Sequence, residues 1–230
     1  METHQLIAQL FAIASNHART KEIRVDEMVS LLLDAEEEKF RPQHKAWTRS
    51  DHYWRDFKPQ VLREKNAEQN FFGAFIREIF RKYEQVESFS WRQSQDYNDN
   101  WDYFDLHNLA INGHEIQYNA GFDDYENYKT YCIIEEGCNF YSPPEDLLTG
   151  LQAELSGQKS EEEIYEMAAD LFKTFYEQPY EVFQVFLQSL HRAYRVNYFI
   201  DLFGWVSSVF IDENGIKLEG VLRKPPHPEY

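Results

Sequence analysis

The residues most able to do chemistry lie in one short polar stretch, Asp96-Tyr-Asn98-Asp99-Asn100-Trp101-Asp102-Tyr103-Phe-Asp105-Leu-His107. Asp96, Asn98 and Asn100 occupy the first, third and fifth places of a calcium loop. The match then breaks: Trp101 stands where the turn needs glycine, and His107 where a bidentate glutamate belongs. The stretch is therefore not an EF-hand.

Asp105 and His107 are two residues apart, on one face if the segment is a strand, so the carboxylate can orient the imidazole as an acid–base pair. A metal shared between His107 and His114 is a poor fit. With Asn112-Gly113 as a hairpin turn, His114 pairs with Ile111 and His107 with Tyr118. The two histidines are then about 13 Å apart at ~3.3 Å per residue, too far for shared coordination. No metal or cofactor is expected from these residues.

A second cluster has a different character. Lys39–Lys58 contains Arg41, Lys45, Arg49 and Arg55 among Trp47, Tyr53, Trp54 and Phe57. Cations interleaved with aromatics suit stacked bases or phosphates. They suit equally well the edge of a core that pairs with acidic groups of this chain or of a second copy, and self-association is one expectation.

The charge supplies the broader frame. The chain has 230 residues and a formal net charge of -17. Residues 1–95 balance fifteen cations against fifteen carboxylates, and residues 191–230 balance five against five. Residues 96–190 hold three lysines, Lys129, Lys159 and Lys173, against twenty carboxylates, so the whole imbalance resides there. Such a field steers a basic partner and repels nucleic acid, whose phosphates need Lys and Arg. Asp99, Trp101, Asp102, Tyr103, Asp123, Asp124, Tyr125 and Glu126 mix carboxylates with large aromatics, as the centre and rim of a protein interface do.

Absent motifs bound the alternatives. The sequence has no GxxxxGK[ST], GxGxxG, GxSxG or HExxH, and each of these carries a specific phosphate, nucleophile or zinc chemistry. Cys132 and Cys138 are too few for a disulfide framework, and their spacing fits no zinc site. If Glu136-Gly137 turns a hairpin, Cys132 faces Tyr141 and Cys138 faces Glu135, leaving two separate thiols. The longest apolar run, Leu202–Ile211, is about half the ~20 residues a bilayer requires. No positive charge precedes the apolar patch at Leu6–Ala14, unlike a secretory leader. A cytoplasmic location without membrane attachment follows as the expectation.

These residues must be positioned by elements legible from periodicity. Spacings of three and four predict a helix over 3–18, a second following Val25 with Asp26 as cap and ending in Glu36-Glu37-Glu38, and a third over 59–83 with Phe72, Phe75, Ile76, Ile79, Phe80 and Tyr83 inward. Alternation then predicts strands from Trp91 to Ile134, with Asn112-Gly113 the strongest hairpin signal and Trp101–Ile111 against His114–Phe122; a third strand covers Tyr128–Ile134. Pro143-Pro144 and the stretch Ser156-Gly157-Gln158 mark a loop region. Ser160 and Glu163 form a capping box opening a helix to about Tyr176, and Pro179 suits the start of another. A last hairpin, Val206–Ile211 with Ile216–Leu222, turns at Asn214-Gly215.

The expectation is one α+β domain spanning 1–230: helical over 1–85, β-rich over 90–141 as an antiparallel hairpin or meander, helical over 160–203, with a hairpin at 206–222. Functionally it is an acidic binding protein of inhibitor or immunity type that engages a basic protein through residues 96–190. The competing classes are a carboxylate/histidine hydrolase or metal-dependent enzyme, and a nucleotide or nucleic-acid module built on residues 39–58; the missing motifs weigh against an enzyme.

Overall fold

A computed structural model of the chain describes residues 2–40, 65–98, 101–115, 120–123, 131–133, 143, 145–194, 196–204 and 206–222. The architecture is α+β. N-terminal helices are followed by an antiparallel sheet, then by C-terminal helices and a final hairpin.

Helix α1 (Thr3–Ala14) buries Leu6, Ile7, Leu10 and Ala14 on one stripe and is opened by a reciprocal Glu2/Gln5 capping box. It ends four residues before the expected Ala18. The Ala14 carbonyl is taken instead by the Arg24 guanidinium at 2.7 Å. Helix α2 (Lys21–Phe40) begins before Val25 and runs through the three glutamates. Its cap is Thr20, whose hydroxyl faces the Ile23 N–H at 3.5 Å, so Asp26 is an ordinary helical residue. Helix α3 (Lys65–Lys82) carries the expected Phe72–Ile79 stripe, all of it buried; residues 59–64 fall outside the described residues.

Two further expectations fail in the C-terminal half. Helix α4 (Glu145–Leu155) occupies ground read as loop, and only Ser156–Lys159 forms a turn, with Gly157 at φ 82. Helix α5 (Glu161–Tyr194) is a single element that passes straight through Pro179. Its start is as predicted: Ser160 N donates to Glu163 Oε2 at 2.8 Å, and Glu163 N donates to Ser160 Oγ at 3.2 Å. Helix α6 (Val196–Phe203) follows.

Among the described residues the strands are β1 (Ser88–Asn98), β2 (Trp101–Ile111), β3 (His114–Glu115), β4 (Ala120–Asp123), β5 (Tyr131–Ile133), β6 (Val206–Asp212) and β7 (Gly215–Leu222). They form one sheet in the order β5-β4-β2-β1-β6-β7, with β3 also on β2. The final hairpin is thus the continuation of the central sheet through the β1–β6 pairing.

The β2–β3 turn is the predicted one. Asn112 and Gly113 take φ 53 and 77, the paired left-handed geometry that Asn-Gly favours. The β6–β7 turn falls one residue earlier than expected, at Glu213-Asn214, because Asp212 Oδ1 accepts from both Asn214 N (2.7 Å) and Gly215 N (3.2 Å).

Two registers matter for the site. Between Ser90↔Ala110 and Arg92↔His107, Trp91 alone faces both Asn108 and Leu109, which is a β-bulge on β2. Between Ala110↔Glu115 and Leu106↔Ala120 the pairing shifts by one residue. The register that set His107 across from Tyr118 therefore does not carry on into β4, and position 118 is outside the described residues.

The core lies on one face of the sheet. Phe89, Trp91, Leu109, Ile111, Val209 and Ile211 belong to the same buried cluster as Phe72, Phe75, Phe183, Phe186 and Phe203 of the helices. Phe75 and Phe186 stack with ring centres 3.7 Å apart, and Phe72 meets Phe203 edge-on at 5.3 Å. Each buried phenylalanine contributes about 1.5–3 kcal/mol of transfer free energy, which makes this aromatic seam the main tie between helices and sheet.

Candidate functional site

The ladder assigns each predicted site position to one of two faces. Phe89, Trp91 and Gln93 are buried while Arg92 is exposed, so odd-numbered positions of β1 face the core and even ones face away. Arg92 pairs with His107, position 94 with Asp105, position 96 with Tyr103 and position 98 with Trp101. On the other side Tyr103 pairs with Asp123 and Asp105 with Gly121, and Asp123 in turn pairs with Tyr131. Positions Asp96, Trp101, Tyr103, Asp105, His107, Asp123 and Tyr131 therefore share the face away from the core.

Asp102 does not join them. It pairs with Tyr97, on the face that also holds Gln93 and positions Phe104, Leu106, Phe122 and Cys132. The expected set is thus divided by the two-residue period of the strand. Asp99, Asp124, Tyr125 and Glu126 lie outside the described residues, as do Arg41, Lys45, Trp47, Arg49, Trp54 and Arg55 and the proposed Glu136-Gly137 turn.

Away from the core, the neighbouring part of the same face is open: Arg92, Ser208, Phe210, Lys217 and Glu219 are exposed. The acidic-aromatic positions extend this surface toward β4 and β5. Cross-strand neighbours lie roughly 5 Å apart and diagonal ones about 7–8 Å, so Asp96 and Asp123 flank Tyr103 while Asp105 sits diagonal to both.

Further exposed carboxylates stand on the first half of α5. Glu162, Glu166, Asp170 and Glu177 fall on one side of the helix by spacing, and among the described residues none of them makes a salt bridge. Glu163, beside them, is held below the usual carboxylate range by the backbone and hydroxyl of Ser160.

Sequence reasoning missed one polar cluster altogether. Arg24 is buried beneath α5 and donates to Glu181 Oε1 and to the Ala14 carbonyl. The other oxygen, Glu181 Oε2, faces His17 Nδ1 at 3.0 Å, and His17 Nε2 faces Tyr83 Oη at 3.2 Å. A carboxylate only accepts, so the Nδ1 that faces it carries a proton. Burial, followed by the Glu181 charge, raises the Tyr83 pKa, with Arg24 opposing.

Next to it, Lys21 Nζ donates to Gln184 Oε1 at 3.0 Å, and Gln184 Nε2 donates to Tyr180 Oη at 2.7 Å. The Arg24, Glu181, His17 and Tyr83 groups engage one another, so the cluster fastens the α1–α2 corner to α5 and to the end of α3. The available signal was Glu181, a lone charge inside the apolar run that follows Pro179.

Among the described residues no three of His, Cys, Asp and Glu gather closely enough to hold a metal ion, and no helix is long and apolar enough to cross a membrane. Comparison of the chain with known protein families, with curated proteins and with solved structures finds no match.

Proposed function

We propose that this chain is a binding protein of inhibitor type, and that it holds a basic protein partner against the outer face of its sheet. The observation that carries this reading is the ladder register, which collects Asp96, Tyr103, Asp105 and Asp123 on one face beyond the exposed Arg92. Carboxylates around aromatics suit lysine and arginine side chains, through charge pairing at the rim and cation–π contact at the centre. The exposed carboxylates on α5 add to the long-range field that brings such a partner in.

The test is capture from the source cell on the immobilised protein, comparing the wild type with an Asp105→Asn/Asp123→Asn double variant. A basic protein should be retained at low salt and released toward 1 M salt, where the screening length falls to about 3 Å. The double variant should retain it at least tenfold less. Retention that is indifferent to salt, or equal on the two proteins, overturns the reading.

A further inference from the structure

Pro179 is buried in the middle of α5. It has no N–H, so the helix cannot close the bond from residue 179 back to the carbonyl of Phe175. That carbonyl is satisfied from outside the helix: Gln85 Nε2 donates to it at 2.9 Å. Gln85 is itself held in place, because its own carbonyl accepts from Asn112 Nδ2 at 2.7 Å. The same amide nitrogen reaches Tyr176 Oη at 3.3 Å. The missing rung of the helix is thus replaced by a side chain from the link between α3 and β1, braced by the β2–β3 turn.

The helix differs on the two sides of this point. Residues 180–194 are buried almost turn by turn, with Val182, Phe183, Val185, Phe186 and Leu190 fully enclosed. Residues 161–178 bury only Ile164, Ala168 and Phe172, and they expose Leu171, Phe175 and the carboxylate side described above. Local opening takes place where few apolar contacts and solvent-exposed backbone bonds coincide.

We infer that α5 is two cooperative segments joined at Pro179, with the Gln85 amide as the latch between them. When the latch releases the Phe175 carbonyl, residues 161–178 open as a unit while residues 180–194 stay packed in the core. The arm that moves carries the exposed acidic side of the helix, but the inference stands on the proline joint alone and does not depend on any partner.

Hydrogen exchange of the full-length chain, resolved along α5, tests it. In the wild type the amides of residues 166–178 should exchange at least about tenfold faster than those of residues 182–193. Gln85→Ala, at an exposed position, should speed the first group by a further ~10-fold and leave the second unchanged. Pro179→Ala restores an N–H that can bond Phe175 directly, so in that background Gln85→Ala should change exchange less than about twofold. One common exchange rate for both segments, responding together to Gln85→Ala, overturns the inference. So does an undiminished Gln85→Ala effect beside Pro179→Ala. If Pro179→Ala does not fold, the comparison of the two segments in wild type and Gln85→Ala decides alone.

Discussion

Arg24 and Glu181 meet across the α2–α5 contact with very different exposure: the arginine side chain is 1% accessible and the glutamate 28%. The guanidinium also caps the last turn of α1 through the Ala14 carbonyl. A buried cation is tolerable only while its counter-charge and hydrogen bonds are in place, so stability hangs on the partner more than on the pair as a unit.

Glu181→Ala should therefore destabilise the protein by about 2–4 kcal/mol, somewhat under the range for wholly buried pairs because water reaches the carboxylate. Glu181→Gln keeps an acceptor and should cost less. The double replacement Arg24→Met/Glu181→Leu should recover much of the loss. Urea unfolding of the three proteins gives the order, and a Glu181→Ala midpoint equal to wild type would show that Arg24 does not rely on this carboxylate.

Asn112 does two separable jobs. Its backbone takes φ 53, and its side chain accepts from Glu87 N at 2.7 Å and Ser88 N at 3.1 Å while donating to the Gln85 carbonyl. Asn112→Gly keeps the turn and removes the bonds, for an expected cost of about 1–3 kcal/mol. Asn112→Ala adds roughly 1–2 kcal/mol of left-handed backbone strain. Equal unfolding midpoints for the glycine and alanine variants would mean that the turn geometry carries no weight.

Stability should also fall at both ends of the pH scale, for different groups. The Glu22 and Glu163 carboxyls are lowered from 4.5, the first by backbone and Thr20 hydrogen bonds and the second by Ser160. Their contribution is present above that value and is lost as the pH drops through the lower folded one. Ser160→Ala should thus weaken the protein near neutrality and converge with wild type in acid. Tyr83 is raised from 10.0, chiefly by burial. Its contribution is full below that value and disappears as the pH climbs through the higher folded one. Tyr83→Phe should flatten the alkaline limb of the unfolding curve, and tyrosinate absorbance should lose a component that titrates above 10.0.

What could be read from the chain was what is local. The Asn112-Gly113 turn and the Ser160/Glu163 box each rest on residues within three positions of one another, and both are present. Pro179 sits inside a helix instead of starting one because the group that satisfies the Phe175 carbonyl lies ninety residues away. Helix α2 starts early because Thr20, not Asp26, caps it, and the last turn is displaced by the Asp212 side chain. Helix α4 is masked in the sequence because Pro143-Pro144 and Ser156-Gly157 bracket a short segment with Gly150 inside it. At the candidate site, simple alternation places Asp105, His107, Leu109 and Ile111 on one side of a strand. It cannot reveal that the ladder divides them.

That division comes from the extra residue at Asn108-Leu109, which works like a change of reading frame within β2. Upstream of it, odd numbers look outward; downstream, odd numbers anchor the interior, with Leu109 and Ile111 fully enclosed. A deletion there would force a choice between sinking Asp105 and His107 beneath the helices and evicting two core aliphatics.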